Sequence, residues 1–379
     1  MKKSVLIGII IAIVIAIAIS IGIVLYLKPV PVNNEPTLPP ENAIKPPENV
    51  GEVVGSSENA ELTYGMIDYF ANSYYNNWVT QNYYYILLGY IKFDANNPMS
   101  EQYISPGISY YDYFVSGTIS TIDSYVKYYE AALVDDEIDF NELKLNAENY
   151  VAYSIADLEI TAESQALSFT TYIQLNFGLN VTVEDLEKAL FLEQIAFLYS
   201  EIVNERIANS VTDSELNKYY DEHKDNIDST VCRNVGHILF RVDSTSMQCY
   251  KTSDEAKAAA TALLAEMESF IVDGKISQEK FAEFAVVTYD SNIFYENVAK
   301  GEMLPGFDDW LFSAQTVGEI GLVETIYGWH IIYYGGTTEP KWIFEAREAI
   351  TTEKTAEWFN GLNYTVDIDE SIFESIYLK

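Results

Sequence analysis

Residues 4–27 form an uncharged, almost wholly apolar run. As a helix it would be about 36 Å long, enough to cross a bilayer. The folded part must therefore be built from the residues C-terminal to it, and the run is predicted to be a transmembrane anchor. A cleaved signal would need only about 7–15 apolar residues and a small-residue cleavage site. No cysteine stands near the end of the run, so a thiol-linked lipid anchor is not expected. Lys2 and Lys3 precede it, while only Lys28 comes closely after it, with Glu35 and Glu41 beyond. By the positive-inside rule the bulk of the chain faces out of the cytoplasm, a single-pass protein at the cell membrane.

Seven of the eleven prolines fall between Pro29 and Pro47, among Asn and Glu. Such chain favours an extended polyproline-like stalk over a packed element. The boundaries expected are an anchor over 1–28, a linker over 29–60, a helical domain over 61–228, a further domain over 229–338 and a helix with tail over 339–379. A length of 379 residues suits two ordinary domains plus such attachments.

The net charge is -35, from 22 basic and 57 acidic side chains. It would repel a phosphate backbone, so nucleic acid is not an expected partner. Cys232 and Cys249 have no metal-ligand spacing around them, and neither metal nor cofactor is expected. They are either a local disulfide, if the domain is extracytoplasmic, or two free thiols. Two sequons, at Asn180 and Asn363, are glycosylation candidates outside the cytoplasm.

From about residue 61 to 226 apolar residues recur at helical spacing, as in Leu186, Leu190, Phe191, Ile195 and Leu198. Residues 157–163 and 182–185 look like helix starts with acidic first turns. The segment 64–90 is crowded with rings, among them Tyr69, Phe70, Tyr75, Trp78, Tyr84, Tyr85 and Tyr90. They suit a tyrosine-lined groove for client chains or a helical core with hydroxyls at its wet rim. No H-E-x-x-H, G-x-S-x-G or phosphate-cradling glycine loop occurs here, and three histidines in the whole chain leave hydrolysis few agents.

The C-terminal half is more specific. Val211-Thr-Asp-Ser-Glu-Leu-Asn-Lys-Tyr-Tyr220 comes first, followed by Gly236-His-Ile-Leu-Phe240, an apolar strand carrying one histidine. Next come a helix of small and acidic residues over 253–268, then Phe281-Ala-Glu-Phe-Ala285, Gly301-Glu-Met-Leu-Pro-Gly-Phe307, Val317-Gly-Glu-Ile320 and Glu324-Thr-Ile-Tyr-Gly-Trp-His-Ile-Ile332. In order and spacing these blocks resemble the parvulin-type peptidyl-prolyl isomerases, in particular the SurA-like, PrsA-like and PpiD-like extracytoplasmic or membrane-anchored foldases. The resemblance implies an α+β chain: a mostly α-helical chaperone-like domain and a parvulin-like domain of four antiparallel strands with flanking helices. It also implies that residues 342–362 form a helix and that the tail returns to the helical domain, making the isomerase an insert.

The resemblance further implies where the site lies. His237 and His330 would stand on neighbouring central strands, bonded to each other or to Thr325, either as catalytic groups or as a buried polar pair that fixes the sheet. Met303 and Phe307 would form the proline pocket, one helical turn apart on one face, with Leu304, Tyr295 and Val298 beside them. Where the family carries Cys or Asp near the substrate carbonyl, this chain has Asp290 and Ser291. The stretch from Phe281 to Met303 is shorter than in the family, and its glycine-rich turn is missing. Phosphate-specific recognition needs a basic cluster, and Arg241 alone is not one. Clients would be unfolded or proline-containing polypeptides.

Three functions compete on this basis. The first is an extracytoplasmic peptidyl-prolyl isomerase (rotamase) and foldase for secreted or surface proteins. The second is a non-catalytic chaperone with a degenerate parvulin module, and the third a structural cell-surface protein.

Overall fold

The computed structural model describes residues 51–226, 229–243, 245–246, 249–287, 292–314, 316–376 and 378. The anchor and most of the linker, together with Asp290 and Ser291, lie outside the described residues. Among the described residues no helix is long and apolar enough to cross a membrane. The chain divides into two compact units, one ending at Asn209 and resumed by Glu353–Lys379, the other Ser210–Thr352.

The first unit opens with a hairpin, β1 (Val53–Ser56) and β2 (Glu61–Thr63), followed by α1 (Tyr64–Leu87). A small hairpin, β3 (Tyr103–Ser105) and β4 (Ile108–Ser109), precedes α2 (Tyr110–Val134), α3 (Phe140–Ser164), α4 (Phe169–Asn176) and α5 (Val183–Asn209). Each helix start is set by a short polar side chain that takes up an orphan backbone N–H. Thr63 accepts from Met66, Ser109 forms a capping box with Asp112, and Asp139 and Ser168 cap α3 and α4. Thr182 and Asp185 do the same reciprocally at α5. The acidic stretch at 157–163, by contrast, lies in the last turns of α3 and starts nothing. Asp139 had already opened that helix, and Glu159 and Glu163 are merely its exposed face.

Ile67 and Phe70 of α1, Ile122 and Val126 of α2, Ala147 of α3 and Leu186 and Ile195 of α5 meet in one core. The tyrosine-rich segment splits between its two expected fates. Tyr64, Tyr69 and Tyr75 are buried, while Tyr84, Tyr85 and Tyr90 are exposed. The same core contains a carboxyl group: Glu193 accepts from the Tyr69 hydroxyl at 3.1 Å. Burial pushes its pKa up to about 7, against the opposing hydrogen bond from Tyr69.

At the far end of the chain β9 (Asp367–Ile368) pairs antiparallel with β1. Ile372 and Phe373 are buried in the helical core. The Asn180 sequon is tied into this unit: the Asn180 amide donates to buried Asp68 at 3.1 Å, and the Thr182 hydroxyl to Asp185 at 2.6 Å. An amide turned inward does not suit a glycan, whereas Asn363 is exposed.

The second unit runs α6 (Asp213–His223), β5 (Val231–Arg241), α7 (Ser253–Met267), α8 (Gln278–Phe284), β6 (Phe294–Val298), α9 (Pro305–Ser313), β7 (Ile320–Thr325) and β8 (Gly328–Pro340). A last helix, α10 (Lys341–Asn360), leads from it to the final segment of the first unit. The four-stranded sheet has the order β6-β5-β8-β7 and is antiparallel throughout, as the resemblance implied.

Because side chains alternate along a strand, the sheet buries both faces. Ile238, Phe240, Ile331 and Tyr333 pack under α7 and α8 with Ala256, Ala260 and Phe281. Val235, Ile332 and Tyr334 pack on the other face with Phe307 and Leu311 of α9. Two features dock α9. Gly321 on β7 leaves room for the Trp310 indole, since a Cβ there would lie 2.1 Å from its nitrogen. Arg233 of β5 donates to the terminal carbonyls of Leu311 and Ala314, the latter at 2.8 Å, a cation at the negative end of the helix.

Of the two alternatives for the cysteines, the structure has the free thiols. Cys232 is buried near the start of β5, whereas Cys249 adjoins Tyr250, which bridges Val242 just past that strand's other end. Ten extended residues carry the chain about 30 Å, far beyond disulfide reach, so nearness in sequence is no guide here.

Candidate functional site

β5 and β8 lie side by side at the centre of the sheet, and their register sets His237 opposite Ile332 and Leu239 opposite His330. Residues two apart share a face, so the imidazoles are diagonal neighbours on the face that carries α9. Their Nδ1 atoms stand 3.3 Å apart and the rings stack at 19°. Both rings are nearly inaccessible, 4% and 5% exposed, so their nitrogens require partners.

The partners fix the direction of the network. His237 Nε2 is 3.0 Å from the Asn292 carbonyl oxygen, which only accepts, so Nε2 carries the proton. With both rings neutral, His237 Nδ1 then accepts from His330 Nδ1–H. His330 Nε2 in turn accepts from the Thr325 hydroxyl at 2.8 Å. Thr325 itself accepts the Tyr327 backbone N–H at 3.2 Å. The donors thus run one way, from the β7–β8 turn through both rings to Asn292.

Phe307 stands edge-on to both imidazoles, at 5.9 Å from His237 and 5.5 Å from His330. Tyr295 lies 5.4 Å from His237 on the β6 side. Buried Val298 and Phe307 form one apolar cluster with half-buried Tyr295, Met303, Trp310 and Val323. Met303 does not share a helix with Phe307, because α9 begins at Pro305 and Leu304 is its N-cap. Proline's fixed φ suits the first helical position and disfavours helix at the residue before it, so Met303 enters the cluster from the preceding loop. Leu304 is half-buried at that junction.

The structure thus brings together His237, His330, Thr325, Phe307, Met303, Tyr295 and Val298. Cys232 and Cys249 are not part of this cluster, and Asn180 and Asn363 belong to the first unit. Two contributors escaped the sequence reading, the Asn292 carbonyl and the Tyr327 N–H, because backbone groups leave no side-chain signature. Trp310 and Val323 also went unmarked, although Trp310 stands three residues after Phe307 on the same helix and so lies on its side. Among the described residues no cluster of His, Cys, Asp and Glu would hold a metal ion. The site offers a packed apolar cluster beside two hydrogen-bonded imidazoles.

Residues 237–335 match the family model described as Rotamase, the PPIC-type PPIASE domain. The second unit carries a parvulin-type rotamase domain. The foldase protein PrsA of Caldanaerobacter subterraneus subsp. tengcongensis is 31% identical over 163 residues, which are 43% of this chain and 45% of that relative. The match therefore spans less than half of the relative's length.

Among solved structures, PrsA from Bacillus subtilis is similar at 16% identity over 71% of this chain and 85% of that one, with a TM-score of 0.31. PrsA from Streptococcus pneumoniae is similar at 13% identity over 86% and 90%, with a TM-score of 0.29. One of two SurA-like chaperones of Campylobacter jejuni is similar at 18% identity over 68% and 90%, with a TM-score of 0.22.

Proposed function

We propose that this chain is an extracytoplasmic peptidyl-prolyl cis–trans isomerase and foldase, held at the membrane by residues 4–27 and acting on unfolded, proline-containing clients. The observation that carries the proposal is the meeting of Phe307 and Met303 over the His237–His330–Thr325 network within a rotamase domain.

Rotation about an X-Pro bond faces a barrier of about 18–20 kcal/mol, maintained by amide resonance. No bond need be broken, so a catalyst has only to bind the twisted amide better than the planar one. Phe307, Met303, Tyr295 and Val298 would grip the proline ring. A pocket with dry walls favours an amide that has lost conjugation and with it part of its dipole. The histidines act through position: both are bonded on both nitrogens, so they hold strands and pocket in register and supply no nucleophile. Asp290 and Ser291 are proposed to face the substrate carbonyl, as the resemblance implies.

A protease-coupled assay with a chromogenic proline peptide, run on the full chain in detergent, tests this. Acceleration above the uncatalysed rate is expected. Folded protein that gives none would sink the enzymatic claim.

A non-catalytic chaperone is favoured by two observations instead. The segment between Phe281 and Met303 is short, and the helical unit holds an open groove of about 440 Å³ lined by Met66, Val151, Phe191 and Leu192. Suppression of client aggregation that survives Met303→Ala with Phe307→Ala would support it, and loss of suppression in that double variant would count against it.

A further inference from the structure

The helical unit has an end that its own core leaves uncovered. Tyr84, Tyr85, Leu87, Leu88 and Tyr90, at and just past the last turn of α1, and Tyr103 of β3 are between 58% and 77% exposed. They belong to one end of the unit. Trp78 of α1 and Phe93 pack on Tyr110, the first residue of α2, at 5.4 and 4.8 Å, so the β3–β4 hairpin, which leads directly into α2, joins the unit beside the second half of α1. Exposed large apolar groups collected in this way mark a contact surface.

The charge pattern narrows the occupant. In a chain of net charge -35, residues 69–91 contain no charged side chain, and the charged residues next along the chain are Lys92, Asp94 and Glu101, all exposed. Tyrosines around a leucine apex, with a lysine behind them, match the boundary between acyl chains and headgroups. Ring bodies sit in the apolar layer, hydroxyls in the wet one, and the ammonium reaches phosphate. The uncharged stretch 69–91 is the part of this unit that an anionic lipid would repel least.

The length of the chain ahead of the fold agrees. The described chain enters beside the start of α1, where the Tyr64 N–H donates to the Glu52 carbonyl at 2.8 Å. From there α1 runs 24 residues, about 36 Å, to the exposed end. The proline-rich stretch between Lys28 and Gly51 reaches about 70 Å when extended, so the tether is long enough for α1 to stand with its far end on the bilayer. Tethering also presents the lipid surface at an effective concentration of about millimolar, at which a weak contact is populated.

We infer that the exposed end of α1, with the β3–β4 hairpin, is a membrane-contact tip that docks on the lipid surface carrying the anchor. The inference rests on the membrane-anchored reading of residues 4–27.

The test uses the full chain reconstituted in phosphatidylcholine vesicles, with Cys249→Ser to leave only buried Cys232. An environment-sensitive fluorophore is attached at Leu88→Cys or, as a control on α3, at Ile160→Cys. The Leu88 probe is expected to shift its emission to the blue and to lose iodide quenching several-fold, while the Ile160 probe stays as accessible as in detergent. Equal quenching of the two probes in chains that float with vesicles would overturn the tip and leave the anchor standing. Chains that do not float would overturn both. Protection that appears only at high protein density per vesicle would assign the surface to a second copy and overturn the lipid contact.

Discussion

Glu193 shows how one residue links burial to pH. The residue is 7% exposed, its carboxylate accepts from Tyr69, and burial pushes its pKa from 4.5 up to about 7. Between those values the folded state binds more protons than the unfolded one, so stability is full below about pH 4.5 and is lost as pH rises through about 7. A shift of this size is worth about 3 kcal/mol at most. Denaturant titrations at pH 5 and pH 8 should show the loss in the native chain and should not show it in Glu193→Gln, which stays neutral. A pH dependence unchanged by the substitution would mean that the group is solvated.

The site residues separate into gripping and positioning groups. Thr325→Val removes the hydroxyl that donates to His330 Nε2, a loss of about 1 kcal/mol in the stability of the rotamase domain. If the imidazoles act only through position, kcat/KM should fall by less than about tenfold, whereas Phe307→Ala should cost more than about tenfold by opening the pocket. Peptide kinetics on both variants, with circular dichroism to confirm folding, decide the matter. A larger loss in Thr325→Val than in Phe307→Ala would reverse the assignment.

At the scale of elements, α9 is held to the sheet by the fit of Trp310 over Gly321 and by Arg233 at its C-terminal carbonyls. Gly321→Ala places a methyl group where the indole now lies, so Trp310 must move and carry α9 with it. Overpacking of this kind typically costs about 1–3 kcal/mol. Because Phe307 is on the same helix, a rise in KM should accompany the fall in melting temperature. Unchanged kinetics in Gly321→Ala would show that α9 docks without this contact.

Elements also show which signals are local. The helix start at Thr182–Asp185 and the apolar strand at Gly236–Phe240 are legible in the sequence, because each rests on neighbours within a few residues. The acidic stretch at 157–163 misleads as a helix start because acid on a helix surface and acid at a helix start look alike until an earlier cap is seen. Met303 misleads for the reverse reason: Pro305 was there to stop the helix short of it.

At the scale of the whole molecule, the last residues of the chain complete the first helical unit. β9 pairs with β1, and Phe373, 4% exposed, sits in the core built by α1, α2 and α5. Truncation of a buried Phe to Ala costs about 3–5 kcal/mol. Phe373→Ala is therefore expected to lower the unfolding transition of the helical unit and to leave peptide isomerisation by folded protein unchanged. Calorimetry beside the rotamase assay tests both halves, and a loss of isomerase activity at temperatures where the variant is folded would contradict the second.

The sequence by itself determined the helical character of the first unit and the rotamase blocks from Gly236 to Ile332. These come from periodicity and motif order, both readable along one dimension. Only the tertiary structure decided which groups meet. The strand register placed two histidines 93 positions apart at 3.3 Å and gave one of them the Asn292 carbonyl, while the length of β5 parted two cysteines only 17 positions apart. Likewise, nothing in the run of tyrosines separates Tyr69 from Tyr90. Burial depends on what packs against each ring, and α2 and α5 cover the first half of α1 while its far end stays exposed among the described residues.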